Sequence, residues 1–483
     1  MARDLVVQFI SHACLKITGE FGTLVCDPWM LNHPVFNMST WKFPAAVVPP
    51  EEVVREVDYL FITHTHEDHF HIPSLDYFSR DVNILLPSYS NNARLRAHSS
   101  ERALREMGFY NIRRLDPWQT FLLGGNTPLV YVPSADTRWH DWENAGFVIE
   151  HHDCVLLNMN DNLTDVPMCR RIAARWPRVD IAFIQSLGVT MFPGCFRMSE
   201  AEMRAAAAER QVGMADQRRM LDWVKPKRIV PFAGDFCWLD DAHFHKNWAN
   251  RGTPRLFEDM LAREYADRAP ELITMSPSDT WSPGTGHDKR HPPIDWGNYL
   301  DEIRRVGAVM GPRVEAIRAY LHSAPRRDLE ARTRTLTERV ERYIVRDSID
   351  FRARFRISVE GETSFSFCLV ANPDDGFRIV WGDDDPVDQI LHVSEPVWAA
   401  IVDGRIRWSL LQWVAEAEQP VPYRPEMGRF FFWLEYYVED LNPPAPQIHL
   451  GGKMHPDRQI GVDPRKGVFE IDNEWDLAWL KGD

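Results

Sequence analysis

No Cys-x-x-Cys pair occurs among the seven cysteines of this 483-residue chain (Cys14, Cys26, Cys154, Cys169, Cys195, Cys237 and Cys368). That absence argues against a Rieske cluster, which needs paired Cys and His motifs. An odd, dispersed set reads as reduced thiols, not a disulfide framework. Positive charge is also scarce. Lys and Arg number 55 against 70 Asp and Glu, a net charge of −15, which disfavours a phosphate-neutralising surface for nucleic acid. No apolar run approaches the roughly 18–20 residues of a membrane helix. The first residues enter a strand pattern with no basic start, apolar stretch and small-residue cleavage site. A cytoplasmic protein with no membrane or nucleic-acid partner is expected.

What the chain does have is concentrated in one stretch. Thr63-His64-Thr65-His66-Glu67-Asp68-His69-Phe70-His71 follows the apolar run Tyr59-Leu60-Phe61-Ile62. A strand running on through His64 and His66 would put both imidazoles on one side, because strand side chains alternate. Asp68 and His69 then fall in the turn beyond, and Glu67 points away. Imidazole and carboxylate together suit zinc, iron or manganese. Downstream, His140 lies just before an apolar run at 145–149, and Asp161 just past another at 155–157. His140 could join His64 and His66 on one metal, while Asp161 bridges to a second held by Asp68 and His69. His12, Trp29, His33, His71, Asp136 and Arg138 are candidates only for the lining of the pocket.

The length implies two or three domains. Over the first 300 residues short apolar runs alternate with helical stretches, the pattern of an α/β layered domain. A helix is expected over 200–225, opening on the capping box Ser199-Glu200-Ala201-Glu202. A Pro- and Gly-rich passage at 276–298 sets a boundary, placed at 290. Residues 291–445 read as a helix-rich α+β domain: helices over 299–336 with a break at Gly311-Pro312, antiparallel strands over 350–381, helices over 393–402 and 407–414, and an aromatic helix at 428–436. Residues 446–483 form an extended tail, either an arm on a neighbouring subunit of a homo-oligomer or a self-packed segment.

The order of these motifs resembles the metallo-β-lactamase superfamily, and more narrowly its CMP-N-acetylneuraminate hydroxylase branch without the Rieske domain. The carrying residues are Ser11-His12-Ala13-Cys14-Leu15, Asp27-Pro28-Trp29, the His64–His69 loop, His140 with Glu143-Asn144, Asn158 to Asp161, and Pro231-Phe232-Ala233-Gly234. The resemblance implies an αββα sandwich with two metals at one edge, and the C-terminal domain resembles a sterol-carrier-like fold. It also implies Asp27 as a partner of a ligand histidine. Hydrolases of the superfamily usually present a His after the last core strand; this chain has Asp235 there, a substitute oxygen ligand, with His243 and His245 further on. The expected function is a non-haem diiron oxygenase acting on a small polar metabolite, with O2 and electrons from a separate reductase. The alternative is a dinuclear zinc or manganese hydrolase of a phosphoester, lactone or amide. Asp68 and Asp161 are the expected catalytic residues in either case.

Overall fold

The computed structural model describes residues 4–421 except 89–95, 136–143, 186–190, 213, 344–348, 350, 383–384, 407 and 409–410. Apolar runs too long for one-sided burial become central strands covered on both faces. They form two facing sheets. The first has the order Gly286–Asp288, Thr280–Ser282, Val6–Ser11, Cys14–Gly19, Gly22–Cys26, Tyr59–Phe61, Asn83–Pro87, Ile112–Leu115. The second has the order Glu271–Leu272, Arg228–Phe232, Ile181–Gln185, Cys154–Asn160, Ala145–His151, Thr127–Pro133, Thr120–Leu123. Phe9, Leu24, Phe61, Phe147, Phe183 and Phe232 fill the space between them; each such side chain contributes roughly 1.5–3 kcal/mol on burial. Outside, Val166–Arg175 and Pro254–Glu264 cover the second sheet, and Ile72–Leu75 with Arg96–Glu106 cover the first. The layers are αββα, as expected, and all seven cysteines are free and buried.

A five-stranded sheet follows, ordered Gly376–Trp381, Phe365–Asn372, Ala353–Glu360, Gln389–Ser394, Glu416–Glu418. Helices Tyr299–His322, Leu329–Tyr343 and Glu395–Val402 share its core. It is stitched to the sandwich through its edge. Ala417 N–H donates to the Cys195 carbonyl (2.7 Å), and Arg197 N–H donates to the Ala417 carbonyl (2.8 Å).

Several expected elements come out differently. The capping box forms, with Ser199 Oγ donating to Glu202 at 2.6 Å, but the helix stops at Val212. Met214 leaves helical backbone (ψ 58) to bury its side chain under the second sheet, and the chain resumes as Ala215–Arg219 and a π turn, Met220–Val224. Pro312 does not break its helix, which runs unbroken over Tyr299–His322. Burial of Ile303, Met310, Ile317 and Tyr320 along one face outweighs the single lost hydrogen bond. The passage at 276–298 is not merely a linker, because Thr280–Ser282 and Gly286–Asp288 extend the first sheet. The helix expected from 393 begins at Glu395, and Gln389–Ser394 is a strand parallel to Ala353–Glu360. Over 407–414 only a 3-10 turn, Leu411–Trp413, is described. The segment 428–436 and the tail lie outside the described residues.

Candidate metal centre

Four strands end at one rim, and each is followed or closed by a residue that turns the chain sharply. His12 (φ 48), Asp27 (φ 43), Asn160 (φ 49) and Ala233 (φ 54) all have left-handed backbone. Such conformations are uncommon for non-glycine residues and gather where a side chain must be aimed. The strand Tyr59–Phe61 stops earlier than expected, so His64 and His66 stand on an extended loop and not on a strand. The turn at 66–70 is closed by the His69 and Phe70 N–H groups bonding to the His66 carbonyl (3.0 and 2.7 Å).

The ligand-type atoms converge. His64 Nε2 and His66 Nδ1 lie 2.9 Å apart, with their rings nearly perpendicular. His69 Nε2 sits 3.1 Å from Asp68 Oδ2 and 3.4 Å from Asp161 Oδ2, and His64 Nε2 is 3.9 Å from that same Asp161 oxygen. Asp27 stands behind His69, its Oδ2 3.4 Å from Nδ1, and it accepts from Thr63 N–H (2.8 Å) and Thr63 Oγ1 (2.9 Å) and from the Asn160 amide. At 3.4 Å the Asp27–His69 pair is held by charge more than by a well-formed hydrogen bond.

His12 is the residue that reading the sequence undervalued. Its Nε2 lies 2.9 Å from Asp68 Oδ2, and its Nδ1 accepts the Asp235 N–H at 3.3 Å. An acceptor at Nδ1 leaves the proton on Nε2, so His12 donates to Asp68. Asp235 thus meets the cluster through its main chain, and its carboxylate is in neither group of converging ligand atoms, His12/Asp68/His69 or His64/His69/Asp161. Burial pushes that carboxyl's pKa up. His243 and His245 lie away from the cluster, beside a cleft of about 700 Å³ lined also by Gly194 and Val414. Glu67 points away as expected, accepting the Phe36 N–H at 2.6 Å. His140, Asp136 and Arg138 lie outside the described residues. The signals for His12 in the sequence were its place after a strand, which many unremarkable histidines share, and its place in the stretch Ser11-His12-Ala13-Cys14-Leu15 that carries the resemblance.

The donor chemistry fits metal ions. Among the described residues, the buried atoms Asp68 Oδ1 and Asp161 Oδ1 have no hydrogen-bond partner, while both ring nitrogens of His69 meet carboxylate oxygens at 3.1 to 3.4 Å. Buried polar atoms left so cost free energy unless something else satisfies them. The electrostatics are poised accordingly. Burial alone would lower the His69 pKa, but Asp68 and Asp161 override it and hold the ring well above its usual value. Burial alone would raise Asp68, but His69 and His12 hold it well below the carboxylate range. That direction favours the protonated ring in the metal-free protein, and a bound metal would displace the proton. Metal loading at pH 7 is expected to release about one proton or more, and affinity to weaken as pH falls. Calorimetric titrations in buffers of different ionisation enthalpy measure this; identical heats across buffers would refute it.

Aromatic side chains wall the site. Phe236 packs 4.6 Å from the His12 ring, Phe36 stacks on Trp413 at 5.0 Å, and Trp413 stacks on Trp238 at 6.1 Å. Trp413 comes from the C-terminal portion, and its carbonyl accepts from Lys246 Nζ at 2.9 Å.

The layers, with a rim of His and Asp residues at one edge, are those of a metallo-β-lactamase-type fold. Residues 25–225 match the family model described as a beta-lactamase superfamily domain. Over 261 residues it is 25% identical to a Mycolicibacterium smegmatis protein with the provisional name Rieske 2Fe-2S iron-sulfur protein, covering 53% of this chain and 48% of the relative. It is 27% identical over 239 residues to the Streptomyces venezuelae 4-amino-L-phenylalanyl-[CmlP-peptidyl-carrier-protein] 3-hydroxylase (47% and 43%). A 79-residue stretch is 28% identical to the Danio rerio cytidine monophosphate-N-acetylneuraminic acid hydroxylase (16% and 13%). The chain spans about half the length of the first of these relatives and less of the other two. Among solved structures, CmlA, a diiron β-hydroxylase from Streptomyces venezuelae, is 16% identical with a TM-score of 0.38, covering 58% of this chain and 54% of that one. No helix among the described residues is long and apolar enough to cross a membrane.

Proposed function

We propose that this centre holds two metal ions, iron in preference to zinc or manganese, and that the chain is a non-haem oxygenase hydroxylating or N-oxygenating a small polar metabolite. The observation that carries this is the donor set left for the second ion. With no imidazole among residues 233–237 directly after the strand Arg228–Phe232, Asp68, His69 and Asp161 supply one nitrogen and two carboxylates, an oxygen-rich set that suits iron better than a closed zinc site. The hydroxylase names of two relatives point the same way.

His64, His66 and His140 would hold one ion, Asp68 and His69 the other, with Asp161 between them. When bound, two irons supply the redox chemistry that O2 requires. The overall change takes a C–H or N–H bond, O2, two electrons and two protons to a hydroxyl and water. The electrons come from an external donor, which we assign to a separate reductase. The chain's own groups do the rest. Asp27 and Thr63 fix the loop that carries the histidines, His12 orients Asp68, and Trp29, Phe36 and Phe236 keep water out. Anaerobic purification followed by metal analysis and O2-uptake measurement with a reductant tests the reading. Near two irons per chain with reductant-dependent O2 consumption is expected. Tight zinc or manganese, no O2 uptake and hydrolysis of a phosphoester, lactone or amide would replace it with the hydrolase reading.

His12 offers a finer check. His12→Ala is expected to weaken the second ion by about 10- to 100-fold, as loss of a ligand's hydrogen-bond partner does. His12→Gln, which can still present an N–H near the Nε2 position, should recover most of that affinity. Equal losses in both variants would make His12 a ligand instead, and no loss in either would leave it merely structural.

A further inference from the structure

A second metal-ligand cluster lies at the opposite end of the sandwich. The strands Gly22–Cys26 and Cys154–Asn160 both finish at the rim just described. Their starting ends therefore lie roughly 15–20 Å away, at about 3.3 Å per residue. There the turn at Glu20 in the first sheet meets the turn at His151 and His152 in the second. Ligand atoms of these three residues all fall within 4.8 Å of one another.

The local backbone brings this about. Adjacent residues on a strand point to opposite faces, so neighbouring histidines there do not normally reach the same metal ion. Here the hairpin turn puts His152 in left-handed backbone (φ 51), which swings the two rings to 4.4 Å at 74°. Gly19 leaves the space, since a Cβ there would lie 3.0 Å from His151 Nε2. His151 is buried and packs edge-on to Phe21 at 5.9 Å, while His152 is exposed. His152 Nε2 lies 3.0 Å from Glu20 Oε2, and the Glu20 N–H reaches His151 Nε2 at a long 3.3 Å. Burial, then the neighbouring His152, lowers the His151 pKa against the pull of Glu20 and Asp4.

We propose that Glu20, His151 and His152 form a separate divalent-cation site, with zinc as the ion that best suits two imidazoles and one carboxylate with an open fourth position. The ion ties a turn of one sheet to a turn of the other. It does not depend on the rim cluster.

The test uses the full chain, zinc alone as the probe, and metal-to-protein ratios after equilibrium dialysis. The full chain should retain one more equivalent of zinc than His152→Ala or Glu20→Gln. Both changes sit at exposed positions, so both variants should stay folded. His66→Ala, which damages only the rim, should keep the extra equivalent. The zinc-dependent rise in the midpoint of thermal unfolding should be larger in His66→Ala than in a His66→Ala/His152→Ala double variant. Equal zinc content in the parent chain and both turn variants would overturn the site, as would an equal zinc-dependent rise in His66→Ala and the double variant. Failure at the rim alone would leave it intact.

Discussion

His66→Ala is expected to empty the first metal position and to lower any activity of the centre at least about a hundredfold, while the fold survives. The magnitude follows from the chemistry of a lost ligand: partners of ligands alone are worth 10- to 100-fold in affinity, and a ligand should exceed that. The fold should survive because His66 is only half-buried and stands on a loop past Phe61. Its ring faces His64 Nε2 and touches Phe36 at 6.5 Å. Circular dichroism and denaturant titration should match the parent chain, while metal analysis shows a loss of about half the complement or more. Full metal content in the folded variant would remove His66 from the centre.

A different outcome, loss of both stability and metal, is expected for Asp27→Ala. Asp27 is wholly buried and accepts from the Thr63 main chain, the Thr63 hydroxyl and the Asn160 amide while facing His69. Alanine would remove the acceptor of the Thr63 N–H and of the Asn160 amide in the interior, at about 1–3 kcal/mol each. It would also occupy left-handed backbone less readily than Asp does. A loss of about 3–5 kcal/mol is expected, read from the shift of the urea midpoint at unchanged slope. The second ion should weaken as His69 loses its orientation. Asp27→Asn tolerates the same backbone and keeps the volume, so it should lose less stability while still impairing the metal. An Asp27→Ala chain as stable as the parent would mean that this buried group is not the anchor of the His69 loop.

Much of the sandwich was legible because its signals are local. Gly22–Cys26 and Arg228–Phe232 are apolar runs bounded by polar residues, and Ala353–Glu360 alternates between buried and half-buried positions along its length. The loop from His64 to His69 was legible for the same reason, since its ligand types are consecutive. What stayed hidden depends on distant partners. Gln389–Ser394 becomes a strand because Ala353–Glu360 offers a parallel edge, and the chain then turns helical at Glu395-Pro396, so one apolar stretch carries two structures. The Tyr299–His322 helix survives Pro312 through contacts that only the assembled core supplies. His12 and Asp235 lie 223 positions apart, and no spacing rule links them.

The left-handed turns at His12, Asp27, Asn160 and Ala233 carry a kinetic consequence. Closure of the sheets is expected to set these turns and so to aim the donors. An incoming ion should therefore meet donors already in position. Uptake should resemble plain bimolecular capture, with a stopped-flow rate that climbs linearly with metal concentration. A plateau in that rate would reveal a slow rearrangement and show that the rim is softer than its geometry implies.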